Sequence, residues 1–245
     1  PLLGTGALTT TSTYITPYKT FYMDGRVQYL VLASELSAMG VAGGGEIKSL
    51  AFDVVSAAAQ TMNAFEIKMG GTSITQMTAA YEPTPSTVVF SQAYVAVSGW
   101  NVHTFTTPFI WNGADNILIE VCYDNSSYTS NSSVHYTATA FPSVYDGYAD
   151  LAAASGCATS TFTFQQLSST RPDMQFNIKT IACSEIRKPV SFALSPDSAV
   201  AAFTSTVQAN GADVSFDGTA SAGQVYTWNY GDGNTGTGVT STHTY

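Results

Sequence analysis

The side chains best suited to chemistry are three histidines, His103, His135 and His243, and a thin scatter of carboxylates. Hydrolysis needs a base beside a nucleophile, and no Gly-x-Ser-x-Gly turn stands near any of the three. His103 and His135 fall at alternating positions of strand-like runs, where an imidazole is one more side chain on a sheet face. No His-Glu-x-x-His, phosphate-cradling loop or dinucleotide fingerprint occurs. Asp124, in CYDNSS, and Asp146 and Asp150, in SVYDGYAD, read as loop residues on either side of one strand. Carboxylates and amides in such loops suit a hard cation, so Asp124, Asp146 and Asp150 are candidate Ca²⁺ ligands. The alternative is that they make Asx turns, and a glycosidase acid/base pair is a further reading of the same residues.

Flat rings offer a different chemistry. Trp100, Trp111, Tyr123, Tyr128, Tyr145 and Tyr148 gather in or near expected loops beside Asn and Asp. Aromatic faces with polar neighbours suit pyranose stacking, which makes Trp100, Trp111, Tyr145 and Tyr148 candidate glycan contacts. The competing role for the two tryptophans is as apolar plugs capping a core. Asp24-Gly25-Arg26 reads as a turn with a local ion pair. Asn125-Ser126-Ser127 and Asn131-Ser132-Ser133 fit an N-glycosylation pattern. The three cysteines match no zinc ribbon or redox motif. In an oxidising compartment one disulfide is expected, Cys122–Cys157, because both flank the same loop-rich stretch. Cys183 is then free or paired with a cysteine outside this sequence.

The elements that position these groups are strands. Only 10% of the 245 residues are charged while 44% are hydrophobic, and 14 Tyr, 13 Phe and 20 Gly favour strands and turns. The net charge of −9 opposes nucleic acid and anionic lipid as partners. No apolar run approaches the length of a membrane helix, so membrane insertion is not expected. Acidic, Thr-rich composition suits an extracellular protein.

In LVLASELSAMGV, Leu32, Leu36 and Met39 share a helical face and Gly40 stands at the C-terminal cap position. Elsewhere apolar residues alternate. Leu50, Phe52 and Val54 share one face of KSLAFDVV. Phe65, Ile67 and Met69 point inward from NAFEIKMGG, with Gly70-Gly71 as the turn. NILIEVCYDN is apolar on both faces and belongs at the centre of a sheet. Met174, Phe176 and Ile178 close the series. With no βαβ rhythm, the reading is all-β: a jelly-roll-like antiparallel two-sheet sandwich over 1–183, a Pro-bearing linker over 184–195 and a partial Ig-like sandwich over 196–245.

The last segment carries a specific pattern. Phe203, Val214-Ser215-Phe216, Ser221, then Tyr226-Thr227-Trp228-Asn229-Tyr230-Gly231-Asp232-Gly233 and Thr242-His243-Thr244-Tyr245 resemble a PKD domain. That family carries Trp-x-Phe-Gly-Asp-Gly and a following His-x-Tyr, so Trp228, Gly231, Asp232, Gly233, His243 and Tyr245 take the motif positions. Tyr230 stands for the usual Phe, and Ser241 where Pro often precedes the His. About fifty residues are too few for such a sandwich, so the expectation is that the chain continues or another subunit donates a strand.

Residues 4–183, with GTG…TTTS, FEIKMGGTS, GWNVHTFTTPFIWNGADNILIEVCYDN and RPDMQFNI, are similar to an N-terminal sandwich domain. That domain is frequent in surface proteins exported by the type IX system of gliding, Bacteroidetes-type bacteria. Asp197-Ser198-Ala199 resembles a short O-glycosylation motif of such exported proteins. The sandwich resemblance implies fold and a cell-surface location and assigns no activity. The modular order, the density of strands and the lack of catalytic motifs give the expectation of a non-catalytic adhesive or filament segment. Its expected partners are neighbouring domains of the same chain, further copies in a homo-oligomer or filament, or surface glycans. No cofactor is expected beyond Ca²⁺. The alternative is an accessory carbohydrate-binding region of a secreted hydrolase.

Overall fold

The computed structural model describes residues 1–4, 11–12, 14–151, 155–180, 201–209, 211–222 and 225–245. The chain divides into two compact units, Pro1–Ile186 and Arg187–Tyr245. Cys183, the linker 184–195 and Asp197-Ser198-Ala199 lie outside the described residues.

The first unit starts with β1 (Leu2–Leu3), β2 (Thr11–Ser12), β3 (Asp24–Val31), β4 (Gly45–Ser56), β5 (Thr61–Met62), β6 (Glu66–Thr72), β7 (Thr87–Ser91) and β8 (Tyr94–Val95). It continues with β9 (Gly99–Trp111), β10 (Asn116–Asp124), β11 (Ser133–Ala138), β12 (Val144–Ala149), β13 (Phe164–Ser168), β14 (Thr170–Pro172) and β15 (Met174–Thr180). One sheet runs β13-β12-β3-β10-β6-β7. The other runs β1-β15-β4-β11-β14, with β2 also on β11 and β9 also on β4. Their pairings are antiparallel, and the unit is an all-β sandwich.

Alternating side chains build the core, with a register shift in β4 between Ile47 and Ser49 that brings Ile47 to the same core as Leu50. Tyr29, Ile67, Met69, Ile117, Ile119 and Val121 from one sheet meet Ile47, Leu50, Phe52, Phe105, Met174 and Phe176 from the other. As the doubly apolar run of β10 implied, that strand lies inside its sheet, between β3 and β6. Its outer face is covered as well: Leu30, Met77, Leu118 and Tyr145 form a second, smaller cluster there.

Several local expectations are corrected. Asp24-Gly25-Arg26 is no turn but the start of β3, all of whose residues are buried, and Arg26 pairs across the sheet with Glu120. The helix α1 is shorter than its periodicity suggests, Ala33–Ala38. Leu30 and Val31 go to β3, where two-sided burial offers more than one further helical turn. Glu35 starts the helix by accepting from Leu32 N–H at 2.8 Å, and Gly40 adopts φ +84° just past its end. Gly70-Gly71 is no turn but lies inside β6, paired with Leu118 and Ile117 of β10, and Pro85 and Asp115 stand close to where its Cβ atoms would be. SVYDGYAD is mainly strand, not loop: Val144–Ala149 form β12, paired on both sides.

The second unit holds a three-stranded sheet, β16 (Thr204–Val207), β17 (Asp213–Asp217) and β20 (Thr240–Thr244), and a β18 (Thr227–Asn229)–β19 (Thr235–Thr237) pair. Trp228 lies between Phe203 and Phe216, and its Nε1 donates to Gly238 O at 2.8 Å. Gly231 and Gly233 take φ of 88° and 96°, the left-handed region their turn requires. His243 stacks on Tyr230 at 4.1 Å and meets Asp232 Oδ2 at 2.6 Å. That contact, with the Asn234 donors, pulls the Asp232 carboxyl down to about 2. Tyr245 donates its hydroxyl to Tyr230 O. An apolar groove of about 340 Å³ lies open beside Phe203, Phe216, Val225 and Trp228.

Candidate functional site

The segment 14–23 has no strand alternation, yet Ile15, Thr16, Tyr18, Lys19 and Thr20 are all buried. It is pinned along its length. Tyr29 and Tyr123 donate their hydroxyls to Ile15 O and Lys19 O, at 2.8 and 2.5 Å. Thr129 N–H and Ser132 N–H donate to Thr20 O and Tyr18 O, and Asn131 Oδ1 accepts from Phe21 N–H at 2.9 Å. Backbone fixed this way presents its outward side chains with little residual freedom. Those side chains are Tyr14, Phe21 and Tyr22.

With Tyr148 of β12, Lys19 and Asn131 they line a cleft of about 230 Å³. Rings continue away from it. Tyr22 lies 4.6 Å from Tyr148 and 5.5 Å from Phe164, and Phe21 contacts both Tyr22 and Tyr128. Lys19 Nζ sits 4.1 Å from the centroid of the Tyr148 ring and is salt-bridged to Asp146. Both members of that pair are buried, which lowers the lysine pKa and raises the carboxyl. The floor of the cleft therefore carries no net charge.

The glycan and calcium candidates are distributed quite differently from this cleft. Tyr148 lines it. Tyr145 is buried on the opposite face of β12 against Tyr81, so it cannot stack on a ligand. Trp111 is only 2% exposed, with Nε1 donating to Asp115 O at 2.7 Å: it is a core plug, which corrects its assignment as a binding ring. Trp100, 37% exposed, lies on the other sheet opposite Asp53 of β4. The three calcium candidates do not converge. Asp146 is taken by Lys19, Asp150 accepts from Met23 N–H, and Asp124 ends β10 opposite Asp24. Among the described residues the one grouping of three metal-type ligands is Glu66, Cys122 and Cys157, and its sulfurs are joined in a disulfide. That disulfide, Cα–Cα 5.0 Å, is the pairing expected from the flanking loop.

Comparison with family models, curated proteins and solved structures found no match.

The site therefore rests on geometry alone. Sequence reasoning missed Tyr14, Lys19, Phe21, Tyr22 and Asn131. The available signal was the run TYITPYKTFYM, aromatic without alternation and so unlike a strand.

Among the described residues no serine, threonine or cysteine side chain hydrogen-bonds to His103 or His135. His103 is enclosed by Tyr18, Phe65, Phe90 and Tyr94, with Tyr18 OH 2.8 Å from Nε2. Burial pushes its pKa down to about 3. The unfolded imidazole binds a proton near its ordinary 6.5, so this group adds stability as pH rises from about 3 to 6.5 and contributes fully above. Its ring resonances are expected to stay fixed between pH 5 and 8 in an NMR titration; a midpoint in that window would contradict the packing. His135 Nδ1 meets Asp53 Oδ2 at 2.8 Å, a base with an orienting carboxylate, but among the described residues no hydroxyl or thiol bonds its Nε2.

Asp24 has the opposite shift. Desolvation raises its pKa to about 6 against the pull of the Leu151 and Gly156 N–H donors, and Asp124 adds to the rise. A carboxyl raised in the folded state contributes stability below its unfolded pKa of 3.8 and loses it as pH rises through about 6. The Asp24 carboxyl carbon is expected to titrate with a midpoint near pH 6. A midpoint near 4 would place the group in water.

Proposed function

We propose that this chain is a non-catalytic adhesive segment of a large multidomain extracellular or cell-surface protein. The first sandwich is its gripping module and the PKD-like second unit a spacer. The observation that carries the reading is the contrast between inside and outside. Lys19, Arg26, Lys68, His103, Glu120 and Asp146 are buried, and each is engaged by a neighbouring side chain, whereas what reaches solvent beside 14–23 is a fixed ladder of rings. The disulfide supports an oxidising compartment. The sandwich and the motif residues Trp228, Gly231, Asp232, Gly233, His243 and Tyr245 accord with a surface protein of the type IX-exported kind.

The test is attachment under flow. Beads coated with the chain are expected to be retained on biological surfaces more strongly than beads carrying a β-sandwich of similar acidity. Equal detachment would count against adhesion. A second reading, an accessory carbohydrate-binding region of a secreted hydrolase, is favoured by the ring-lined cleft. A catalytic module on the same parent polypeptide would select it.

A further inference from the structure

We infer that the cleft between Tyr14, Phe21, Tyr22, Asn131 and Tyr148 is a binding site for an uncharged pyranose residue of a glycan. This rests on the reading of the chain as a binding module and names what it grips.

Four observations select that ligand. Ring surface comes first: Tyr14 is 62% and Phe21 49% exposed, which leaves apolar faces for the C–H face of a sugar. Hydrogen-bonding groups come second. The Tyr22 and Tyr148 hydroxyls and the Asn131 amide nitrogen make no hydrogen bond to any described residue, while Asn131 Oδ1 is held by Phe21 N–H. A hydroxyl both donates and accepts, so phenols and an amide suit the vicinal hydroxyls of a pyranose. Tyr14, Tyr22 and Tyr148 all line the one cleft.

Charge is the third. Among the described residues that line the cleft the one cation is Lys19, which is neutralised by Asp146 and lies against the Tyr148 ring. Phosphate, sulfate or carboxylate groups would find no unpaired cation there, and the chain's −9 charge adds repulsion. The fourth is rigidity. Backbone pinned through Tyr29, Tyr123, Thr129 and Ser132 is ordered before the ligand arrives, so binding does not pay for ordering it. A volume of about 230 Å³ suits one sugar ring, with neighbouring residues of the glycan extending along Phe164 or Tyr128.

The experiment uses the intact chain on a printed array of neutral, sialylated and sulfated glycans, with protein-coated wells in parallel. Neutral pyranosides are expected to be retained and the anionic series refused. Tyr14→Ala and Phe21→Ala, both at exposed positions, are each expected to weaken binding about tenfold or more. Trp100→Ala is expected to leave it unchanged. Saturation transfer from the unmodified chain to methyl β-glucoside gives a readout that needs no variant, with transfer expected at the ring C–H protons. A preference for anionic glycans, a blank array with no transfer, or binding indifferent to both substitutions would overturn the assignment. If the array is blank but the protein-coated wells hold the chain, the sugar falls and the adhesive reading stands. Silence on both surfaces removes both.

Discussion

Glu120→Ala is expected to cost about 3–5 kcal/mol of folding stability, because it strips the shared anion from a buried cluster. Glu120 Oε2 accepts from Arg26 Nε at 3.0 Å, Arg26 Nη2 at 2.7 Å and Gln28 Nε2 at 2.9 Å, and Oε1 lies 3.5 Å from Lys68 Nζ. The remaining donors are also committed. Arg26 reaches Thr159 O and Thr84 Oγ1, its guanidinium packs on the Tyr81 ring at 4.5 Å, and Gln28 exchanges two bonds with the Glu82 backbone. Removing the carboxylate leaves the arginine desolvated without a counter-ion, whereas removing both charges does not. The double variant Arg26→Met/Glu120→Leu is therefore expected to recover most of the loss. Urea unfolding of the three proteins decides it. A Glu120→Ala variant within about 1 kcal/mol of the parent would mean that water, not protein, solvates this cluster.

Replacing Cys122 and Cys157 by serine is expected to cost about 3–4 kcal/mol, from the chain entropy released when a 35-residue loop opens. The bridge also fastens the stretch after Cys157 over the outer face of β3. Thr159 in that stretch accepts from Arg26, and Phe162 packs near Gly147 and Tyr81. Loss of the bridge and loss of Glu120 should then be non-additive, with a coupling of about 0.5–3 kcal/mol in a double-mutant cycle. Additive costs would show that the covering stretch holds its place without the bridge. A midpoint shift that appears only under reducing conditions in the parent would tie the effect to the disulfide rather than to the serines.

The framework was legible where burial is one-sided or fully apolar. Leu50, Phe52 and Val54, then Phe65, Ile67 and Met69, follow the period of two, and the unbroken Ile117-Leu118-Ile119 marks an interior strand. What stayed hidden was strand with polar groups on a covered face. Arg26, Gln28 and Asp146 look like surface residues until their partners, Glu120, Glu82 and Lys19, arrive from 94, 54 and 127 positions away. Long-range neutralisation of that kind leaves no local signature, so β3 passed for a turn and β12 for a loop. The cleft was hidden for the converse reason. Its residues sit on irregular backbone whose order comes from tyrosine hydroxyls of two different strands, and no periodicity registers such anchoring. Trp111 stands beside Asn112 near an expected loop, which suits a binding ring, but its large apolar surface fits it equally for the core, where it lies.

The proposal of a binder rather than a catalyst is most directly tested by turnover. The intact chain should be incubated with chromogenic ester, glycoside and peptide substrates from pH 4 to 9, beside His135→Ala and Asp53→Asn variants. Product formation at the buffer rate in all three proteins is the predicted result. Turnover above buffer that disappears in either variant, with the fold retained, would contradict it.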